Sequence, residues 1–368
     1  MIPINKPIME KEEMEAVLRV LDSQYLTDSS FEGGKNVKEF ESLFRECIGT
    51  KHAIAVNSGT SALLAALLAL GLDKHDETIT PGFTFSSTAT TSLLLGANVN
   101  FADIQLKTYC ISPDSLEKKI SKTSKVIIPV HLYGHPAQMD EIREIGGKSG
   151  IYIVEDAAQS LGSKYKGKMT GSIGSIGCFS LYATKIITCG EGGILTTNDD
   201  ELAEKMRMIR SHGQMHGYDA RILGLNLRMP EIEAAIGIEQ IKKLGKFIGV
   251  RRENAKFLID QLSQIEGVRT PVEEDYAETN WSIFTVQVKK RRDEIVKYLR
   301  DKGVGAMVYY PISLNKLPFF ELRGYFSSLP NCEEAANHVF SLPIHPLLSE
   351  EDKNIIINVF KSAIKKFL

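Results

Sequence analysis

A chain of 368 residues with 43% hydrophobic and 24% charged content is long enough for two domains and a sizeable core, and its composition is that of a globular protein. A net charge of -2 gives no basic field for a nucleic-acid backbone, and no basic patch interleaved with aromatics stands out, so no nucleic-acid partner is expected. Cys47, Cys110, Cys178, Cys189 and Cys332 form no C-x-x-C pair, which argues against a zinc site or a disulfide framework and suits a reducing, cytoplasmic setting.

Met1 is followed at once by Pro3, Lys6 and a charged amphipathic run, so no signal peptide is expected there. The longest apolar stretch, around Ala62 to Leu72, is too short to span a bilayer, and no membrane partner is expected. The first helix is expected over Lys11 to Leu21, where Met14, Val17, Leu18 and Leu21 recur at helical spacing. After a polar loop, Val37 to Cys47 is a second amphipathic helix with Val37, Phe40, Leu43 and Phe44 on one face. A short apolar strand, Ala53 to Val56, runs into Asn57-Ser58-Gly59-Thr60 and the helix Ser61 to Leu70. Such a turn offers free backbone N–H groups and the positive end of a helix dipole to a phosphate; plain N-capping by Ser58 or Thr60 explains the same residues.

Strand and helix then alternate. Strands are expected at Glu77–Thr80, Asn98–Asp103, Lys125–Val130 and Ile151–Glu155, with helices at Ser86–Leu95, Pro113–Ile120 and Gln138–Ser149. This order predicts an α/β fold with a mostly parallel sheet covered on both faces, whose ligands sit beyond the carboxyl ends of the strands. Asp156 lies at such an end, where it faces a ligand or caps the next helix. The chain then turns glycine-rich through Gly171, Gly174 and Gly177 to the strand Ile194–Thr197 and the helix Glu201–Arg210. The period of three in that run is not a dinucleotide fingerprint, because no helix follows it within reach. His212 and His216 share i, i+4 spacing in a glycine-broken loop without a paired carboxylate, and no metal site is expected. Helices Pro230–Leu244 and Arg251–Ile265 lead into a smaller C-terminal α+β domain. Its strands are expected at Val268–Thr270, Ser282–Val288 and Met307–Tyr310, and its helices at Arg292–Lys302, Glu333–Phe340 and Ser349–Lys366. The boundary near Lys246 divides the chain into residues 1–245 and 246–368.

One lysine stands out. Lys185 is set among Tyr182, Ala183, Ile186 and Ile187 and is followed by the glycine-rich turn Gly190-Glu191-Gly192-Gly193. Partial desolvation would lower its pKa and leave more of it as the free amine that adds to a carbonyl, whereas an ordinary surface lysine would do neither. A pyridoxal phosphate enzyme needs such a lysine, a carboxylate to keep the ring nitrogen protonated, an anion site and a flat residue against the ring. Lys185, Asp156, the Ser58-Gly59-Thr60 turn with Ser180, and Phe85 are the candidates in that order.

The runs N-S-G-T-S-A-L (Asn57 to Leu63), V-E-D-A-A-Q-S (Val154 to Ser160), F-S-L-Y-A-T-K (Phe179 to Lys185) and G-E-G-G (Gly190 to Gly193) resemble the DegT/DnrJ/EryC1/StrS family of sugar aminotransferases. The resemblance extends through G-L-N-L-R-M (Gly224 to Met229), Y-Y-P (Tyr309 to Pro311) and S-L-P-I-H-P (Ser341 to Pro346). It implies a fold type I, aspartate-aminotransferase-like subunit that binds pyridoxal 5'-phosphate and works as a homodimer with active sites at the interface. It also implies that Gln159 lies beside the cofactor and that Asn226 reaches the neighbouring subunit's cofactor phosphate. Arg228 either binds a substrate phosphate or pins its loop, and Tyr309 and Tyr310 either line the substrate cleft or fill the small-domain core. Cys189, Glu233 and Ser175 stand where threonine, glutamine and aspartate are common in the family.

The expected reaction moves the amino group of L-glutamate onto a nucleotide-linked 3- or 4-keto-deoxyhexose, through a Lys185 internal aldimine and a pyridoxamine phosphate intermediate. Related dehydratases carry a histidine in place of the lysine, so Lys185 argues against that chemistry. Amination of a cyclitol or other keto acceptor, or a non-catalytic cofactor-binding regulator, remain as alternatives; no helix-turn-helix or basic extension supports the last.

Overall fold

The computed structural model describes residues 1–368. Its centre is a seven-stranded sheet in the order His52–Val56, Gly193–Thr197, Ile176–Ser180, Tyr152–Asp156, Ser124–Ile127, Glu77–Pro81 and Asn98–Ala102. Gly193–Thr197 is antiparallel to both its neighbours, and the other paired strands run parallel. The expected α/β fold with a mostly parallel sheet is therefore the one adopted. Most residues of these strands are buried, the threonines of Glu77–Pro81 and Gly193–Thr197 included, because both faces of the sheet are covered. The helix Gly59–Ala69, almost wholly Ala and Leu, is buried between the sheet and the helix Asp200–Arg210.

A second core is built on the antiparallel strands Val268–Arg269, Phe284–Val288 and Val339–Leu342, with the helices Arg292–Asp301 and Glu350–Phe367 packed on it. Two sequence expectations fail here. The helix expected over Glu333–Phe340 ends at His338, and Val339–Leu342 is a buried strand paired with Phe284–Gln287. A four-residue apolar run reads equally well as the last turn of a helix or as a strand, and only its partner decides. The strand expected at Met307–Tyr310 is reduced to a single bridge between Met307 and Ser341. Tyr310 turns instead into the aromatic cluster with Phe83 and Tyr133 beneath the large sheet.

The first helix runs over Lys11–Ser23, as its spacing predicts, and packs through its small residues. Ala16 and Val20 are buried against Ala235 of the helix Glu231–Lys242, while Met14 is 59% and Leu18 57% exposed. Small residues allow the two helices to approach closely, which turns the larger apolar stripe outward. The helix Leu244–Leu262 runs without a break through Lys246, and the residues it gives to the second core begin at Ala255. Ile2 joins that core too, with its backbone bonded to Gly303 and Gly305 at 2.8 Å. We propose that this helix is the joint between two domains, with the N-terminal residues attached to the smaller one.

Candidate active site

The carboxyl ends of His52–Val56, Tyr152–Asp156 and Ile176–Ser180 open on one cleft of about 460 Å³. Asp156, the last residue of its strand, is buried at the cleft floor. Its Oδ2 accepts from the Thr88 hydroxyl at 2.8 Å and its Oδ1 from the Ala158 N–H at 3.2 Å. Burial raises the Asp156 pKa above the ordinary value, against the lowering effect of Thr88, the Ala158 N–H and the Lys185 charge.

Glu155 points to the opposite face of the sheet, as strand alternation requires. Fully buried, it accepts from the N–H groups of Gly171, Ile173 and Gly174 at 2.7, 2.7 and 2.6 Å and from His131 Nε2 at 2.9 Å. His131 Nδ1 accepts from the Ala137 N–H at 3.0 Å, which places the ring proton on Nε2. Burial opposes the Glu155 charge, but His131 and the backbone donors outweigh it and hold the carboxyl below its usual range. The backbone N–H of His131 donates to the backbone carbonyl of Asp156 at 3.1 Å, so the residue whose ring is paired with Glu155 is also tied to the end of the strand that carries Asp156.

Lys185 sits on the loop joining Ile176–Ser180 to its antiparallel neighbour Gly193–Thr197, which returns the chain to the same end of the sheet. The loop is tied across by Leu181 N–H to the Gly192 carbonyl at 2.8 Å and by the Thr188 hydroxyl to the Leu181 carbonyl at 2.9 Å. Gly190 and Gly192 take φ of +88° and +147°, conformations that explain two of the glycines in the turn. The Lys185 ammonium has no hydrogen-bond or ion-pair partner within the chain, and burial lowers its pKa while the Asp156 charge partly restores it.

The third group of residues makes a cradle. Ser58 caps the helix Gly59–Ala69, its Oγ accepting from the Ser61 N–H at 3.1 Å, and leaves the first-turn N–H groups of Gly59 and Thr60 without helical partners. A Cβ on Gly59 would lie 2.8 Å from Ser180 Cβ, and one on Gly193 would lie 2.2 Å from the Ser58 carbonyl oxygen. Capping and anion binding, which the sequence offers as alternatives, are thus compatible: the side chain of Ser58 does the first and leaves the amides for the second.

Eight of the nine residues expected from the sequence line this cleft: Ser58, Gly59, Thr60, Phe85, Asp156, Gln159, Ser180 and Lys185. Phe85 is 60% exposed at the rim. Gln159 Oε1 accepts from the Tyr133 N–H and its Nε2 donates to the Tyr310 hydroxyl, both at 2.8 Å, leaving one Nε2 proton for a ligand. Asn226 stands apart on an exposed loop, where its Oδ1 accepts from the Arg228 N–H at 3.4 Å. Ser282, Ile283, Tyr309 and Tyr310 close the cleft from the C-terminal side. No sequence signal marks Ser282 and Ile283, nor Thr84 and Thr88, since small hydroxyl and apolar residues there look like ordinary strand and helix residues.

The residues fit a phosphorylated pyridine: an unpaired amine and a buried carboxylate share a cleft with a helix start whose Gly59 leaves no side chain in the way. The model of the DegT/DnrJ/EryC1/StrS aminotransferase family matches residues 7–361. The chain belongs to this family. It is thereby a pyridoxal phosphate-dependent sugar aminotransferase of fold type I. The UDP-2-acetamido-2-deoxy-3-oxo-D-glucuronate aminotransferase of Pseudomonas aeruginosa is 39% identical over 88% of this chain and 89% of its own length. The crystal structure of DesV from S. venezuelae in complex with a ketimine intermediate superimposes with a TM-score of 0.91 at 34% identity, over 96% of this chain and 94% of the other. The sugar aminotransferase Spr1654 from Streptococcus pneumoniae, described as putative and solved in its PLP form, has a TM-score of 0.94 at 26% identity over 100% of this chain and 99% of its own. No helix of this aminotransferase is long and apolar enough to cross a membrane.

Proposed function

We propose that this aminotransferase moves the amino group of L-glutamate onto a nucleotide-linked keto-sugar, a 3- or 4-keto-deoxyhexose. The observation that carries the reading is the meeting of Lys185, without a partner in the chain, and buried Asp156 in one cleft. Bound pyridoxal phosphate supplies an electron sink that lets the donor's C–H bond break. Lys185 Nζ would attach the cofactor and, once displaced by the donor, would carry the proton from the donor's α-carbon to the cofactor within that half-reaction, and from the cofactor to the acceptor's carbon in the other. Asp156 holds the proton on the ring nitrogen, a role supported by its two hydrogen bonds, which orient the carboxylate. The Gly59 and Thr60 amides and the Ser180 hydroxyl would hold the phosphate, with Phe85 as the residue to cover the ring and Gln159 to contact it, since all five line the same cleft.

Lys185 is the only cation lining the cleft of one chain, which is little for a phosphate and a nucleoside diphosphate. This supports a homodimer in which Asn226 of each copy completes the phosphate site of the other. The outward stripe of Met14, Leu18 and Leu21 and the exposed Leu223 and Leu225 on the Asn226 loop are apolar surface suited to that contact. Five free cysteines are in keeping with a cytoplasmic enzyme.

The test is to convert the bound cofactor to its amine form with L-glutamate and then offer a panel of nucleotide-linked 3-keto and 4-keto sugars. Return of the original absorbance identifies the acceptor. Return with a cyclitol ketone alone would overturn the sugar assignment.

A further inference from the structure

Four arginine and lysine residues are buried in this chain: Arg210, Arg251, Arg292 and Lys353. Three of them meet a carboxylate, Arg210 on Glu41 at 2.7 Å, Arg292 on Asp293 and Lys353 on Glu350. Arg251, only 3% exposed, has none. Its Nη1 donates to the carbonyls of Trp281 at 3.4 Å and Ser282 at 3.2 Å, its Nη2 to Asn5 Oδ1 at 3.3 Å, and its Nε to nothing. All three contacts are long and to neutral oxygens. Burial and the Arg251 charge itself lower the pKa of neighbouring His345, which favours the neutral imidazole and offers the guanidinium no anion. A desolvated cation balanced only by dipoles is expensive to keep, and outside the cleft, where Lys185 awaits the cofactor, each of the other buried cations meets a carboxylate.

The position of this charge gives it a use. Ser282, whose carbonyl it holds, and Tyr309, whose hydroxyl feels its field, both line the cleft that contains Lys185. Asn5, held by Nη2, donates to the Ala183 carbonyl at 3.5 Å on the Lys185 loop, so the guanidinium also ties the two walls of the cleft together. We propose that Arg251 selects a carboxylate-bearing amino donor: the donor's carboxylate binds at the Ser282–Tyr309 wall, accepts from the Tyr309 hydroxyl, and supplies the negative charge that Arg251 lacks. Arg251 is a positioning residue in this scheme, acting through Tyr309 and Ser282. The assignment rests on the aminotransferase reading and deepens it by naming what recognises the donor.

The two half-reactions of the holoenzyme separate the possibilities. Arg251→Met should raise KM for L-glutamate in the donor half on the order of 10- to 100-fold, as loss of a charged hydrogen-bond system would. The KM for the keto-sugar in the acceptor half should stay near that of the wild type. Arg251→Lys should recover part of the loss, and Tyr309→Phe should shift the donor KM in the same direction, so the test does not depend on Arg251→Met folding. Equal losses in both halves, or an unchanged donor KM, would overturn the assignment. A loss confined to the acceptor half would place the balancing anion on the sugar nucleotide and overturn it as well. If the wild type itself accepts no amino donor, the aminotransferase reading fails and this assignment with it.

Discussion

The hydroxyl of Thr88 donates to Asp156 Oδ2 across 2.8 Å, and the hydroxyl of Thr84 stands 3.3 Å behind it. Because Thr88 spends its proton on the carboxylate, Thr84 is the donor in the second contact, and the relay favours the ionised form of Asp156 against its burial. Thr88→Val should remove that support and raise the Asp156 pKa further. We expect kcat to fall about 10- to 100-fold, the cost of one charged hydrogen bond, with the acid limb of the pH–rate profile moved to higher pH. Thr88→Ser should restore both, and a profile unmoved by the valine would show that Thr88 only fills space.

Lys185→Ala should abolish turnover and the visible absorbance of attached pyridoxal phosphate. Because burial lowers the Lys185 pKa, attachment of cofactor to the apoprotein should accelerate with pH and level off below 10.5, the ordinary lysine value. Stopped-flow absorbance against pH measures this, and a rate still climbing at that value would mean the amine is not perturbed.

Gly193→Ala should strike the backbone of Ser58, which cannot rotate away as a side chain would. Overpacking of this kind costs about 1–3 kcal/mol, so the cofactor Kd should rise about 10- to 100-fold as the helix start is pushed out of place. Equilibrium titration of the apoprotein with pyridoxal phosphate reads the change directly.

The buried Oε2 of Glu233 has no partner. Burial, with the Glu191 charge adding to it, pushes its carboxyl up to about 7 from an ordinary 4.5. The folded chain therefore binds a proton that the unfolded chain has lost between these values, and stability falls as pH rises through that window. Glu233→Gln should have little effect at pH 5 and raise Tm at pH 8, measured by thermal melts at the two values. Equal shifts at both would show that the charge is not the cause.

Much of the site was legible because its chemistry needs rare neighbours. Lys185 among apolar residues and Asp156 at the end of an apolar strand are unusual locally, so each could be picked out before any contact was known. Arg251 could not, since a lysine- and arginine-rich helix such as Leu244–Leu262 gives no sign of which cation is buried without a partner. Thr88 was hidden for the same reason, because a threonine on a helix is ordinary until a carboxylate from a strand 68 residues away comes to lie against it.

The sequence by itself determined the α/β alternation, the strand ends next to Ser58 and Asp156, and the turn glycines around Lys185, because these follow from local periodicity and backbone freedom; the strand Ile176–Ser180 was hidden in its glycine-punctuated run. It placed the helix Lys11–Ser23 but not the outward direction of its larger apolar residues, and it misjudged the run Val339–Leu342, which is a strand. Tertiary structure alone decided those, along with the closure of the cleft by Ser282 and Tyr309 and the pairing of each buried charge. Which of two faces is buried, and which cation lacks an anion, depend on partners far apart in the chain, and a helical or alternating pattern carries no record of them.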